Sequence, residues 1–221
     1  MTEGHYQTLK LDMIEEQLQH RGIVDPRVLQ AMREVPRQLF VPEMGQVWAY
    51  EDHPLPIGYG QTISQPYIVA LMLQTLELRG DEHVLEVGTG SGYQAALLGK
   101  LAKHVYTVEI IPELAQSARR ALDQLAYDNV EVVAANGSIG WQPGAPYDAI
   151  IVAAASPFVP SSLVKQLQDG GRLVLPVGSL YEQKLLRVWK RGNTTETEDL
   201  GECAFVPLVG EEGWKSKMYS H

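Results

Sequence analysis

The sequence predicts an α/β fold: a mostly parallel central sheet with helices on both faces, an N-terminal helical extension and an antiparallel C-terminal edge. Nearly continuous apolar strand patterns alternate with helical patterns between residues 83 and 177, which is typical of a parallel sheet covered on both sides. A length of 221 residues without a linker-like stretch fits a single domain, 1–221. Within it we distinguish N-terminal helices and a loop at 1–66, an α/β core at 67–178, and C-terminal edge strands with a tail at 179–221.

Two helices are expected near the N-terminus. Apolar residues recur at helical spacing across Leu11–Leu18. A second helix is expected to start with Asp25 as its cap and Pro26 at its first position, and to stop before Pro36. Residues 39–49 are expected to be irregular, because a proline and a glycine interrupt them.

The remaining elements follow in order along the chain. A polar loop, Pro54–Pro66, leads into a helix, Tyr67–Leu78, which we expect Ser64 or a near neighbour to cap. Strands are expected at His83–Val87, His104–Glu109, Val130–Ala134, Asp148–Ala153 and Arg172–Val177. Helices are expected at Gly92–Leu101, Pro112–Leu125 and Ser161–Leu167. At the C-terminal edge, strands are predicted at Lys184–Lys190 and Glu202–Leu208, and a polar turn at Arg191–Asp199 is predicted to join them.

Composition and charge argue against several classes of protein. Hydrophobic residues make up 45% of the chain and charged residues 20%, so neither a disordered chain nor a membrane protein is indicated. The net charge of −9 argues against a nucleic-acid partner, because such binding begins with neutralised phosphates. The N-terminus lacks signal-peptide features and the single cysteine, Cys203, suits a reducing compartment, so we expect a cytoplasmic protein. No Cys/His cluster has metal-site spacing, and no metal is expected.

The most informative pattern is an apolar strand that runs into a glycine-rich turn, Gly88–Gly92, and then into a helix. The glycines let backbone approach a ligand closely, and the helix offers free N–H groups. A dinucleotide fingerprint would need a glycine where this chain has Tyr93. Glu86 places a carboxylate near the strand end, which suits a cationic ligand better than a pyrophosphate, and Glu109 suits the hydroxyls of a ribose. S-adenosylmethionine therefore fits this pattern better than NAD, while a tight turn without a ligand is the alternative.

Several other segments share a pattern with one known family: Val35–Pro42, Ala49–Asp52, Pro56–Pro66, Leu85–Tyr93, Tyr106–Leu114, Pro146–Ala155, Asp169–Gly178 and Phe205–Leu208. The glycine turn is common to many methyltransferases, whereas the loop sequence Gly-Gln-Thr-Ile-Ser-Gln-Pro at 60–66 is much more particular. Through these segments the chain resembles the protein-L-isoaspartate O-methyltransferases from about Met13 to Trp214. The resemblance implies a Rossmann-like, class I S-adenosylmethionine-dependent methyltransferase.

The resemblance also implies a reaction, the transfer of a methyl group from S-adenosylmethionine to the α-carboxylate of an L-isoaspartyl residue. S-adenosyl-L-homocysteine would be the other product, and the ester would close to a succinimide that opens in part to normal aspartate. A carboxylate with a pKa near ~4 is already ionised at pH 7, so the reaction needs no general base. The site must instead align the carboxylate and exclude water. The resemblance makes Ser64 the catalytic candidate, which would hydrogen-bond and orient the substrate carboxylate.

The resemblance and the glycine pattern together give a set of expected site residues. Cofactor-binding residues are expected to be Thr62, Ile63, Glu86, Gly88, Thr89, Gly90, Ser91, Gly92, Glu109, Ile110, Asn136 and Gly137. Substrate-binding residues are expected to be Thr62, Ser64, Val206, Pro207 and Leu208. The expected partners are isoaspartyl-containing proteins and peptides, with no nucleic acid or membrane, and the protein is expected to be a monomer.

Three positions depart from the family pattern, one of them, Ser156, in a way that we expect to be neutral, and other functions stay open at this point. Asn136 stands where the family commonly has an acidic residue, and Val209 where it often has a threonine. None of these changes removes Ser64, the glycine turn or Glu109, so activity is expected. The alternatives are a methyltransferase for another acceptor, such as a peptide natural product or RNA, a cofactor-binding protein without catalysis, and a nicotinamide dehydrogenase.

Overall fold

The structure, a computed structural model, describes residues 2–215. Its α-helices in this range are α1 (Glu3–Asp12), α2 (Pro26–Glu34), α3 (Pro66–Thr75), α4 (Tyr93–Leu101), α5 (Pro112–Gln124) and α6 (Ser161–Gln166). Its strands are β1 (Leu55–Gly58), β2 (Gln61–Ile63), β3 (His83–Val87), β4 (His104–Glu109), β5 (Val130–Ala134), β6 (Tyr147–Val152), β7 (Leu167–Gly178), β8 (Gln183–Arg191) and β9 (Thr194–Cys203). None of the helices in the described part of the chain is both long and apolar enough to cross a membrane.

Seven strands form one sheet in the order β5-β4-β3-β6-β7-β8-β9. Strands β3 to β7 pair in parallel, whereas β8 and β9 add an antiparallel edge. The chain direction across the sheet reverses beside β3, because β4 lies on one side of it and β6 on the other. In open α/β sheets, a ligand crevice forms beyond the carboxyl ends of the strands at such a switch point.

Helices cover both faces of the sheet, as the apolar strand patterns predict. Successive strand residues belong to opposite cores: Val84 packs with α3 and α4, and Leu85 packs with α6. Both side chains are fully buried. A strand with two buried faces has little room for polar residues, which is why apolar residues follow one another almost without interruption in these strands.

The N-terminal helix is longer than predicted. It begins at Glu3 and passes from α1 into a π-helical segment, Met13–Leu18, and then a 3-10 turn, Gln19–Arg21. Met13, Ile14 and Leu18 are buried, but Leu11 is 55% exposed, so its predicted place on the apolar face is wrong. Residues 39–49 are not fully irregular, since 3-10 turns occupy Arg37–Phe40 and Glu43–Trp48.

The polar loop at 54–66 contains a β-hairpin that the sequence analysis did not predict. Strands β1 and β2 pair antiparallel, with Leu55 opposite Ile63. Tyr59 and Gly60 join them with φ angles of 55° and 69°. Positive φ at both central residues is the mark of a type I′ turn, whose twist matches that of a hairpin. The hairpin gives the segment before Ser64 a defined shape.

Of the predicted cap candidates, Ser64 or a near neighbour, the structure places the neighbour Gln65 in the cap position and not Ser64. Helix α3 begins at Pro66 with Gln65 in the cap position, and no side chain at that position caps it. Asp52 takes this role from outside, because its Oδ1 accepts the N–H of Tyr67 at 3.1 Å. The Ser64 hydroxyl is therefore not committed to the helix.

The core elements confirm the predicted order, with bounds that agree to within a few residues except at the start of β7, which begins at Leu167 and not at Arg172. The C-terminal hairpin is also present, but the predicted position of its second strand is wrong. The structure pairs β9, Thr194–Cys203, with β8 across a short turn, so most of the predicted polar turn Arg191–Asp199 is strand. Residues 206–208 instead lie beside Ala155, whose N–H donates to the Val206 carbonyl at 2.7 Å.

Helix α2 begins at its predicted cap, which gives a test of the N-terminal fold. Asp25 Oδ1 accepts the N–H groups of Arg27 at 2.8 Å and Val28 at 3.3 Å. Asp25→Ala should lower the free energy of unfolding by about 1 kcal/mol, because two helix N–H groups lose their acceptor. Asp25→Asn keeps an acceptor and should lose much less. Urea unfolding followed by circular dichroism measures both, and equal losses would contradict the capping role.

Candidate active site

The glycine-rich turn lies between the end of β3 and the start of α4, at the carboxyl edge of the sheet. Gly88 has a φ of +94° and donates its N–H to the Val108 carbonyl at 2.8 Å. Gly90 has a φ of +52°, and a Cβ there would lie 3.4 Å from Ile57 of β1. Backbone conformations of this kind are strained for most residues, so the glycines allow the turn to bend under the hairpin. Gly88, Thr89, Gly90 and Ser91 all line a cavity at this edge.

Glu109 lies at the end of β4 and holds the turn from the neighbouring strand. Its carboxylate accepts the N–H of Gly90 at 2.8 Å and the N–H of Ile111 at 3.0 Å. It is 5% exposed and lines the same cavity. A carboxylate has about four acceptor positions, so two remain for a ligand hydroxyl. Ile110 and Gly137 complete this side of the cavity.

Glu86 lies behind the wall of the cavity and not in it, which corrects the prediction that it faces a ligand. It is fully buried, and its Oε2 accepts the hydroxyl of Thr107 at 2.5 Å. Burial, with a smaller contribution from the charge of Glu109, raises the pKa of Glu86 to about 8. Glu86 is therefore mostly neutral at pH 7, and its charge cannot be what selects a cationic ligand. A hydrogen bond of 2.6 Å between Thr107 and Thr89 links it to the glycine turn.

The end of the hairpin closes the cavity on the side opposite the sheet. Thr62, Ile63 and Ser64 all line it. Nη2 of Arg37 donates to the Ser64 carbonyl at 2.7 Å. The Ser64 hydroxyl makes no hydrogen bond within residues 2–215, so it is available to a ligand.

A second cavity adjoins the first. It is lined by Pro54, Thr62, Ser64, Ala153, Ala204, Phe205 and Val206. Thr62, Ser64, Ala153 and Val206 line both cavities. Ser64 thus lies where two ligands could meet. Among the predicted substrate residues, Leu208 lines only the first cavity, and Pro207 lines neither because it forms the bridge to Ala155.

Besides Glu86, two further predicted cofactor residues support the cavity without lining it. Gly92 packs against α5, and a Cβ there would lie 3.1 Å from the Cβ of Ala118. Asn136 uses its Oδ1 to accept the N–H of Ser138 at 3.0 Å and shapes the turn that contains Gly137. Val209, the other departure from the family pattern, lines the cavity with an apolar side chain.

Sequence reasoning missed Gln94, which lies in the first turn of α4 and lines the first cavity. It is 7% exposed, and its side-chain amide interacts with the buried carboxyl of Glu86 behind the cavity wall. Gln94 therefore connects the cavity lining to Glu86. Only the place of Gln94 directly after the glycine turn could have pointed to it. Tyr93 lines the cavity and is also buried against Met32, so it belongs to both core and site.

The site residues form no metal centre in the part of the chain that the structure describes. Groups of three or more His, Cys, Asp or Glu side chains that could hold an ion are absent from residues 2–215. The residues lining the two cavities likewise include no histidine, lysine or arginine. The described site offers hydroxyls, amides, backbone groups and one carboxylate in an apolar enclosure.

The buried carboxyl of Glu86 gives a pH-dependence test. Its native pKa is about 8, against 4.5 for an unperturbed glutamate, so the folded state holds a proton that the unfolded state has lost. The stability from this group is fully present below pH 4.5 and is lost as the pH rises through about 8. Glu86→Gln removes this titration, so its free energy of unfolding should fall less than that of the wild type between pH 5 and pH 9, a range set by those two pKa values. Urea unfolding at several pH values measures the difference, and parallel profiles would contradict it.

Comparisons with known proteins place the chain in a family. Residues 8–213 match the profile of the Protein-L-isoaspartate(D-aspartate) O-methyltransferase (PCMT) family. The chain is 51% identical over 212 residues to a protein-L-isoaspartate O-methyltransferase of Syntrophus aciditrophicus, covering 95% of this chain and 97% of the relative. It is 56% identical over 204 residues to protein-L-isoaspartate O-methyltransferase 2 of Pelobacter propionicus, covering 91% of each.

A solved structure agrees with these relatives. A Plasmodium falciparum protein described as a protein-L-isoaspartate O-methyltransferase, crystallised with S-adenosyl-L-homocysteine, superposes with a TM-score of 0.78 at 27% identity. The match covers 92% of this chain and 98% of that one. The predicted resemblance and the α/β fold class are confirmed, and the chain belongs to the protein-L-isoaspartate(D-aspartate) O-methyltransferase family.

Proposed function

We propose that the two adjoining cavities carry out the family reaction in this chain, with Ser64 at their junction. The chain is an S-adenosylmethionine-dependent methyltransferase that acts on the α-carboxylate of L-isoaspartyl residues in damaged proteins and peptides. The resulting ester closes to a succinimide, which opens in part to normal aspartate. The observation that carries the residue assignment is that Thr62 and Ser64 line both cavities.

The first cavity fits the cofactor through the donors and acceptors on its wall. Gln94 lines the cavity with an amide that can donate to a carboxylate, and Glu109 is an acceptor for ribose hydroxyls. The glycine turn allows backbone to come close to the bound molecule. When bound, S-adenosylmethionine supplies a methyl group made electrophilic by the sulfonium. S-adenosyl-L-homocysteine would occupy the same residues after transfer.

The second cavity would receive the isoaspartyl side of a peptide. The acceptor carboxylate is ionised at neutral pH, so the site has no proton to remove. This agrees with cavity walls that carry no histidine, lysine or arginine among the described residues. The Ser64 hydroxyl, free of protein partners in residues 2–215, would donate a hydrogen bond to this carboxylate and fix its direction.

The apolar walls of the junction support the reaction by keeping water out. Ile63 is 4% exposed, and Ala153 and Val206 face both cavities. A carboxylate that has lost water is a stronger nucleophile, because its charge is less screened. Residues 206–208 pair with Ala155 along one edge, and we propose that the carbonyl of Pro207, which has no N–H, accepts a hydrogen bond from an extended peptide on the other edge. A monomeric state and a cytoplasmic location stay predictions.

The proposed function is tested by a matched pair of peptides. Purified protein with methyl-labelled S-adenosylmethionine should label a peptide that contains one L-isoaspartyl residue, and should not label the same peptide with normal aspartate. The label should be lost under mild base, since a carboxyl methyl ester hydrolyses there. Equal labelling of both peptides would contradict the substrate assignment, and S-adenosyl-L-homocysteine binding without turnover would contradict catalysis.

The role of Ser64 is tested in the same assay. Ser64→Ala removes a hydrogen bond to a charged group, a loss of about 1.5–3 kcal/mol, so kcat should fall roughly 10- to 100-fold. Thermal stability should change little, because this hydroxyl caps no helix in the structure. Ser117→Ala on the exposed side of α5 is the control and should keep wild-type kcat. Unchanged kcat in Ser64→Ala would contradict the proposed role.

A further inference from the structure

Arg37 is a buried cation in the N-terminal part of the chain, and the reaction above does not use its charge. The residue is 0% exposed and belongs to the 3-10 turn that follows α2. Burial lowers the pKa of its guanidinium from the ordinary value. No carboxylate in residues 2–215 forms an ion pair with it.

The contacts of Arg37 join three separate parts of the molecule. Its Nε donates to the Ala49 carbonyl at 2.6 Å, and its Nη2 donates to the Ser64 carbonyl at 2.7 Å. The guanidinium carbon lies 4.8 Å from the ring centre of Tyr93. Nη1 is buried and has no hydrogen-bond partner within the described residues. Two of the three contacted residues, Ser64 and Tyr93, line the first cavity.

This arrangement is a poor way to stabilise a fold. A buried cation that has no carboxylate partner, and is bound by two carbonyl groups and the side chain of Tyr93, carries a large desolvation cost. An apolar side chain of similar size is often as good or better for stability at such a position. What the planar guanidinium supplies is a rigid fork of donors that can hold two carbonyl groups at a fixed separation while it stacks on a ring.

We infer that Arg37 is a positioning residue, which fixes the main chain of Ser64 relative to the floor of the cavity at Tyr93. The inference rests on the proposed role of Ser64. The Ser64 side chain has no anchor among the described residues, so its hydroxyl keeps its direction only through the backbone that carries it. Arg37 binds that backbone at its carbonyl. A displacement of a reacting group by about 1 Å can lower a rate by two orders of magnitude.

Two variants of Arg37 separate positioning from stability. Arg37→Lys keeps the charge but replaces the fork with a single ammonium, and Arg37→Met keeps the approximate volume without charge or donors. Both should lower kcat on the isoaspartyl peptide by roughly 10-fold or more, while the Kd for S-adenosyl-L-homocysteine stays within about 3-fold. The melting temperature of Arg37→Met should not fall below that of Arg37→Lys.

Arg27 provides a matched control. It also bridges two carbonyl groups, those of Leu78 and Leu101, at 2.5 and 2.9 Å, but it lines neither cavity. Arg27→Lys should lower the melting temperature and leave kcat close to the wild-type value. If kcat falls in proportion to the melting temperature in both Arg37→Lys and Arg27→Lys, the inference is overturned.

A double-variant comparison tests the route of the effect. If Arg37 acts through Ser64, Arg37→Lys should cost much less in a Ser64→Ala background than in the wild type. Additive losses of kcat would overturn the inference. It would also be overturned if Arg37→Lys and Arg37→Met both failed to fold, because Arg37 would then serve the fold itself. Turnover of the isoaspartyl peptide by the wild type tests the proposed function separately, because the Arg37 result depends only on ratios between variants.

Discussion

The first cavity depends on two hydrogen bonds to one side chain at the end of a parallel strand. Glu109, at the end of β4, accepts the N–H of Gly90 from the turn after β3 and the N–H of Ile111 at the start of α5. The ends of two strands and the starts of two helices are thereby held in one arrangement. This requires β3 and β4 to be adjacent and parallel, which the sheet order provides. The cavity is therefore formed largely in advance, and less ordering accompanies ligand binding.

The two strand-end carboxylates show how environment separates residues that look alike in sequence. Glu109 accepts two backbone N–H groups at the cavity wall, whereas Glu86 is fully buried and interacts with the side chains of Thr107 and Gln94. Burial raises the pKa of Glu86, and the nearby Glu109 adds to the shift. The chain of hydroxyls from Glu86 through Thr107 to Thr89 makes it a support for the glycine turn.

The parts of this structure that the sequence could predict are those set by local chemistry. Core strands such as His83–Val87 were placed correctly because both of their faces are apolar. Strand β9 was missed because its outward residues are threonines and glutamates that resemble a turn, and only pairing with β8 makes it a strand. The facing direction of Glu86 and the contact between Arg37 and Ser64 depend on long-range packing, which no residue spacing reveals.

The two cavities are supported partly by different segments of the fold, so some substitutions can change one cavity without the other. The first cavity is built on the sheet and the glycine turn. Pro54, Ala204 and Phe205 line only the second cavity, whereas Ser64, Ala153 and Val206 line both. Changes at the residues of the second cavity alone can therefore alter what that cavity accepts while Glu109 and the turn are unaffected. A substitution at Thr62, Ser64, Ala153 or Val206, by contrast, alters the walls of both cavities at once.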